Sequence, residues 1–347
     1  MISRRKKVIK IENTPSQPLD FEKSEATKEE IATATSAFYN ILQGQVVNML
    51  PTIRTKNLPA DYIDHYGIAT ILGENYEFVI NNYEALKNGI PTFVYQFLDA
   101  LIIHFTQMGV KSVQIRLPLE KFMAMRGLKD IKEARQQVLN SISILQLIKF
   151  KIYESIRGKK SLFSGYISIF GGTGFIKNGI IHFNFNQDFY SILCSYSTME
   201  IPKQSLCLNS HKNPNSYYFL KHISKNYRYN EGKERQNTIK MNTLISKSPF
   251  LPTYDDVMAA DRALKRRIVQ ATFRDLDALV DVTYSVYLID GTDVTEDRYQ
   301  MNYNDFIASK IIVDYSSFPA HEKRVENRSK YAEAVLNQKS RSNKKCA

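Results

Sequence analysis

The chain has 347 residues, of which 43% are hydrophobic and 12% aromatic, and it carries a formal net charge of +12 with a pI near 9.3. This composition excludes wholesale disorder and allows two domains with separate cores. No apolar run reaches the roughly eighteen residues of a membrane-spanning helix, and the basic opening "MISRRKKVIKIENTPS" lacks the apolar stretch of a secretory signal, so a cytoplasmic protein is expected.

The richest apolar run, "FVYQFLDALIIHF", is interrupted by Gln96, Asp99 and His104. Positive charge is not confined to the ends. Residues 91–211 and 212–274 are both strongly basic and 275–320 is acidic, the distribution expected where two surfaces meet a polyanion. Cys194, Cys207 and Cys346 are odd in number with no CxxC spacing, which argues against a disulfide framework or a cysteine-rich zinc site. Buried thiols, with one in the tail, are expected instead.

Residues 1–35, polar and charged with Pro15 and Pro18, read as a flexible arm. Residues 36–90 form an accessory segment in which "GIATILGENYEFVINNYEAL" fits a β-hairpin turning at Gly73 to Asn75; its role is not assigned. At Pro91 a helix begins, "PTFVYQFLDALIIHFTQ", with Val94, Leu98, Leu101 and Phe105 at helical spacing and Gly109 beyond its end. "SVQIRLP" alternates as a short strand stopped by Pro118. "LEKFMAMRGL" is a short helix turning at Gly127, and "DIKEARQQVLNSISIL" is a longer one. Two β-rich segments, "LIKFKIYESI" and "LFSGYISIF", are joined by a basic hairpin tip containing Arg157, Lys159 and Lys160. Helix, strand, helix, turn, helix, hairpin is the order of a winged helix, a helix-turn-helix variant. A connector with strand-like "GIIHFNF" and helical "QDFYSILCSY" completes residues 91–208.

The order returns over residues 209–318. "PNSYYFLKHISKNYRYN" is the first helix, "NTIKMNTLI" the short strand, and "TYDDVMAA" a short helix capped by Thr253 with Asp255 and Asp256 in its first turn. "DRALKRRIVQATFRDLDAL" is the long helix, followed by strand-like "VTYSVYLID", an acidic loop from Gly291, and "DFIASKIIVDYS". Residues 319–347 are a basic tail. The expected fold is α+β: two tandem winged-helix domains with flexible N- and C-terminal arms.

In the second long helix, Leu264, Ile268, Ala271, Thr272, Leu276 and Leu279 make an apolar stripe, while Arg262, Arg266, Gln270 and Arg274 form an i, i+4 row opposite it, flanked by Lys265 and Arg267. A solvated face normally mixes signs, yet no acid occurs between Arg262 and Arg274. Arginine grips phosphate or the O6/N7 edge of guanine with two hydrogen bonds, and glutamine can read adenine. The third helix of a helix-turn-helix enters the major groove, so this row is expected to contact DNA; a solvated or interdomain face is the alternative. In the first unit the stripe Ile131, Ala134, Val138, Ile142 and Leu145 leaves Lys132, Gln136, Asn140 and Ser143 on the other side, with Arg135 beside the stripe. Lys132, Gln136 and Asn140 are the weaker DNA-contact candidates there, and Arg157, Lys159 and Lys160 are expected to touch phosphate or minor groove. The acidic second wing should face solvent or a basic protein surface.

Enzyme chemistry finds no support. There is no Walker A motif, "GGTGFIKNG" breaks the G-x-G-x-x-G register at Lys177 and reads as a glycine-rich turn between strands, and the six histidines show no H-x-H or H-E-x-x-H spacing. His104 reads as a packed core residue. No catalytic residue, metal or cofactor is expected.

With "LPLEKFMAMRGLKDIKEARQQVLNSISIL" in the first unit and the arginine row in the second, the chain resembles the replication initiator (Rep) proteins of bacterial plasmids that bind tandem origin repeats. The resemblance covers about residues 90–318 and rests on element order and hydrophobic spacing. It implies that the second unit makes the principal base contacts. The first would bind neighbouring phosphates, or pair with a second monomer in a homodimer. Binding would melt an A·T-rich segment and recruit the host replication initiator and helicase machinery, without covalent chemistry. A winged-helix transcriptional repressor and a DNA-processing enzyme such as a relaxase or primase are the alternatives.

Overall fold

The structure, a computed structural model, describes residues 37–109, 112–153, 165–259 and 262–318. The expected arm at 1–35, the hairpin tip with Arg157, Lys159 and Lys160, and the basic tail at 319–347 lie outside the described residues. The described residues are mixed α+β, with helices packed around several small antiparallel sheets. No described helix is long and apolar enough to cross a membrane.

In chain order, β1 (Phe38–Gln43) and α1 (Gln45–Met49) lead to the hairpin β2 (Ala69–Leu72) and β3 (Tyr76–Ile80). It turns where the sequence implies, with Gly73 N donating to Tyr76 O at 2.8 Å. Then α2 (Thr92–Gln107), β4 (Gln114–Pro118), α3 (Leu119–Arg126) and α4 (Ile131–Gln146) fall where the periodicity puts them. Gly127 ends α3 at φ 65°, a left-handed conformation that costs glycine little, and Asp130 caps α4 by accepting from Lys132 N at 2.8 Å. After β5 (Ile148–Ile152), β6 (Ile167–Ser168), β7 (Phe170–Lys177) and β8 (Ile180–Phe185) come α5 (Gln187–Cys194), β9 (Ser197–Pro202) and α6 (Gln204–Cys207). The second series is α7 (Ser216–Tyr229), β10 (Thr238–Lys240), α8 (Met241–Ile245), α9 (Tyr254–Met258), α10 (Arg262–Asp277), β11 (Thr283–Tyr287), α11 (Tyr303–Ala308) and β12 (Lys310–Asp314).

Strand pairing departs from chain order. β4 pairs with β8 and β8 with β7, all antiparallel, and the later sheet β10–β12–β11 repeats that arrangement. The helix after the first strand is tied at the same place in both: Leu119 N donates to Gly179 O at 2.8 Å and Met241 N to Ser309 O at 2.9 Å. The hairpin that faces β4 is therefore β7–β8, turning at Asn178 and Gly179, both at positive φ. It is not the β5–β6 hairpin to which the sequence assigned that part. β5 does pair with β6, but its other edge pairs with β3, so β2–β3–β5–β6 stitches the accessory segment to the first series, as β1 pairing with β9 also does. Alternation identifies a strand locally, but strand partners are chosen by burial of a common face across the fold.

Other departures are shorter. Gly171 and Gly174 lie inside β7, not in a turn. A Cβ on Gly174 would stand 2.7 Å from Ile142 Cγ2 of α4, and one on Gly171 would stand 2.5 Å from Phe185 O, so glycine admits the helix and the neighbouring strand against β7. The segment "NTIKMNTLI" is strand only over Thr238–Lys240 and then helix α8, which leaves α9 as an extra short helix with a Thr253/Asp256 capping box. "DFIASKIIVDYS" begins in α11 and only then becomes β12. Cys207 is exposed and Cys194 half-buried, against the expectation of buried thiols.

The centre of the molecule is α2, whose three polar interruptions are all buried, and each fastens a different element. Gln96 Nε2 donates to Ser205 O and Leu208 O at 3.0 and 3.1 Å, holding α6 and its exit. His104 Nε2 lies 3.0 Å from Arg116 O of β4, and its Nδ1 lies 3.2 Å from Lys121 Nζ of α3. Asp99 accepts from Tyr217 Oη at 2.7 Å and from Lys221 Nζ at 3.0 and 3.1 Å, both on α7, so the first helices of the two series are joined by a buried ion pair. Burial, with the Asp99 charge beside it, pushes the Tyr217 hydroxyl well above its ordinary pKa and keeps it a donor.

Removing one partner of such a pair strands the other charge. Asp99→Ala should cost about 3–5 kcal/mol in urea denaturation, whereas the double replacement Asp99→Leu with Lys221→Met should recover most of that loss. Equal costs for the single and double variants would show that the pair does not hold the helices.

Candidate nucleic-acid interface

α10 has no glycine or proline along its length, and Ile268, Val269, Thr272, Phe273 and Leu276 are buried on one side. The buried arc is wider than the sequence stripe. Phe273, placed by spacing between Arg262 and Arg266, is fully buried because Phe306 of α11 and Tyr299 close over it, with ring centroids 5.6 and 5.9 Å away. What remains exposed is a narrower sector containing Arg262, Arg266, Arg267 and Arg274, with Gln270 half-buried among them. Lys265 is half-buried and leans toward α9, its Nζ 3.4 Å from Met258 O.

Arg267, Gln270 and Arg274 line one side of a shallow open concavity of about 560 Å³ whose far side is Tyr299. Tyr299 carried no signal in the sequence, since it comes from a 3-10 turn inside the acidic loop. Among the described residues, no carboxylate lies within ion-pair distance of Arg262, Arg266 or Arg267. Arg274 differs: its Nε and Nη2 both donate to Asp275 Oδ1, at 2.9 and 2.7 Å. Two of its five N–H donors are thus committed, leaving fewer than a free fork presents.

Asp275 has no exposed surface, contrary to its expected place in a solvated acidic stretch. Its Oδ2 accepts from Asn215 N at 2.9 Å and Asn215 Nδ2 at 2.7 Å, placing a carboxylate at the start of α7, where the helix dipole favours a negative charge. Ser216 Oγ donates to Asp275 O at 2.5 Å. Asp277 accepts from Tyr284, Tyr299 and Arg298, anchoring the end of α10 to β11 and the acidic loop. The loop's own Asp290 and Asp293 bond Thr292 and Thr295 within it.

On α4, Lys132, Gln136, Asn140 and Ser143 are exposed, as the spacing requires. Gln136 Nε2 donates to Asn140 Oδ1 at 2.8 Å, which engages one donor of the first amide and the acceptor of the second. Ile131, assigned to the buried stripe, is 50% exposed at the first turn, and Leu139 is exposed in the polar sector. Arg135 is half-buried and makes further interactions. The predicted residues thus form two sets on separate helices, while Arg157, Lys159 and Lys160 lie outside the described residues. Among the described residues, no group of three or more His, Cys, Asp or Glu side chains is placed to hold a metal.

No family model matches the chain, and no curated relative does. Among solved structures it is similar to a crystal structure of selenomethionine derivatives of domains 2 and 3 of RctB, at 13% identity and a TM-score of 0.45, over 77% of this chain and 98% of that one.

The Asp277 cluster carries a pH signature. Burial raises its carboxyl pKa, but the hydrogen bonds from Tyr284, Tyr299 and Arg298 outweigh burial and leave it below the ordinary aspartate value. Its contribution to stability is therefore complete above the unfolded-state pKa and is lost as pH falls through the lower folded value. Asp277→Asn should lower the melting temperature at neutral pH and flatten its decline below about pH 4. A decline parallel to that of the parent protein would remove Asp277 from the anchoring role.

Proposed function

We propose that the protein is a sequence-specific, double-stranded-DNA-binding replication initiator built from two winged-helix units. It binds repeats at a plasmid or mobile-element origin, promotes local melting and recruits host replication proteins, with no covalent chemistry of its own. The observation that carries the reading is the exposed sector of α10, where Arg262, Arg266 and Arg267 have no acidic partner among the described residues, on a helix whose later half, from Ile268, is anchored in the core. Like charges at that spacing repel unless an anion lies against them, and a duplex supplies phosphates and base edges together.

The matched sheet orders β4–β8–β7 and β10–β12–β11, each preceded by helix, strand and helices, support the winged-helix reading. On that reading the first wing is the β7–β8 turn, where Lys177 and Asn178 stand. The buried Asp99–Lys221 pair supports two DNA-reading units held at fixed spacing, which suits tandem repeats better than a single palindrome. Arg274, engaged by Asp275, suits a phosphate better than a base.

Footprinting across the DNA flanking the gene tests the whole reading: protection of an array of direct repeats is expected, and a lone promoter palindrome would instead favour a repressor. Arg266→Ala should cost about 1–3 kcal/mol of specific binding and relax preference at one base position. Unchanged affinity with the fold intact would remove Arg266 from the contact row. Lys177→Ala, at the β7–β8 turn, should weaken binding to all sequences and lower the salt slope by about one.

A further inference from the structure

A second cationic site lies away from α10. A cavity of about 260 Å³ is bounded on one side by Gln45, Asn48 and Thr52, from α1 and the turn after it, and on the other by Lys221, His222 and Lys225 of α7 with Lys247 beyond α8. None of the described residues lining it is acidic. Lys221 is neutralised by Asp99, but among the described residues Lys225 and Lys247 have no carboxylate within ion-pair distance. Lys225 Nζ stands over the Tyr229 ring, 5.4 Å from its centroid, a contact that leaves its charge uncompensated. At about 100° per residue, Tyr218, Lys221, His222 and Lys225 share one side of α7. Ser216, which bonds α10, falls opposite, so this cavity and the arginine sector are on different faces.

Two half-buried ammonium groups around one cavity repel each other, disfavour protonation of the imidazole beside them, and gain nothing from folding unless an anion joins them. Burial first, then Lys247 and Lys225, lower the His222 pKa to about 4, and burial first, then Lys247 and Lys221, lower that of Lys225. The facing wall offers the neutral donors Asn48 and Gln45 instead of a counter-charge, the Thr52 hydroxyl being donated to Met49 O at 2.8 Å. The space is below the about 300–1,000 Å³ typical of drug-sized ligands, and lysine acts on phosphate as a compact point charge.

We infer that this cavity is a phosphate-binding site, in which Lys225, Lys247 and His222 hold the anion and the polar side chains of the N-terminal segment complete its shell. A bound phosphate ties that segment to α7, the helix that also anchors α10. The site does not depend on the DNA reading, because its ligand chemistry is a phosphate group from either a free phosphorylated small molecule or a nucleic-acid backbone.

The test uses the full chain and inorganic phosphate, compared with chloride at equal ionic strength. Phosphate should raise the melting temperature of the parent protein and move the His222 titration, read by NMR, upward from about 4. The sign follows from linkage: the unfolded chain protonates His222 first as pH falls, so folding loses stability between the ordinary histidine range and the depressed value, and a bound anion reduces that loss. Lys225→Met and Lys247→Met should each raise the melting temperature in phosphate-free buffer, by removing repulsion, and lose more than half of the phosphate-dependent increment. Because phosphate stabilises many proteins by exclusion from their surface, the difference between parent and variants decides the matter. Equal increments in parent and variants, or an unmoved His222 titration, would overturn the site. If the phosphate belongs to a DNA backbone, the two variants also lower the salt slope of duplex binding by about one each; if it belongs to a free small molecule, that slope stays unchanged.

Discussion

The placement of everything else depends on one buried carboxylate. Asp99 sits in the middle of an otherwise apolar helix and is 1% exposed, a position tolerable only because Lys221 and Tyr217 of α7 meet it. Hydrophobic contact alone would let α2 and α7 slide or rotate against each other at small cost. An ion pair with a directed hydroxyl donor restricts them to a geometry that satisfies all three groups. Gln96 and His104 do the same for α6, β4 and α3, so the three polar residues act as pins through a core that is elsewhere non-directional.

From α7 the constraint passes to α10. Asn215 and Ser216, at the start of α7, are bonded to Asp275, and Asp277 is bonded to the loop beyond β11. Asp275 and Asp277, at the C-terminal end of the arginine row, are therefore engaged as anchors, the first buried and the second bonded at the surface, while the cations remain exposed. This partition lets a helix of mixed composition present one sign of charge outward. The opposite side of α7 faces α1 and carries its own uncompensated cations, so a single helix stands between two cationic surfaces.

Much of this was legible in local pattern. The spacing of Val94, Leu98, Leu101 and Phe105, the alternation in "SVQIRLP", and the breaks at Gly109 and Gly127 placed α2, β4 and α3, because helix and strand periods are properties of a few consecutive residues. The exposed sector of α10 followed from the same arithmetic. Three features did not follow. The hairpin beside β4 was taken as β5–β6, since two adjacent hairpins alternate equally well and only sheet closure selects β7–β8. Phe273 lies outside the stripe that spacing defines, and Phe306 of α11 and Tyr299 are what bury it. The glycines of β7 read as a turn, although Gly174 admits Ile142 of α4 and Gly171 admits the neighbouring strand.

The cavity between α1 and α7 was invisible for a related reason. Lys221, His222 and Lys225 are close in sequence, but Lys247 and the Asn48 wall arrive from elsewhere, and only their convergence turns a charged helix side into a site. Sequence by itself determined the longer helices, the alternating strands and the sorting of charge along the chain, because those depend on near neighbours and on water. The tertiary structure alone decided which strands pair, which acids are withdrawn from the surface and which cations are left facing one another. Those outcomes depend on burial, and burial is a property of the assembled chain, where a carboxylate is either met by a donor or pays for its isolation.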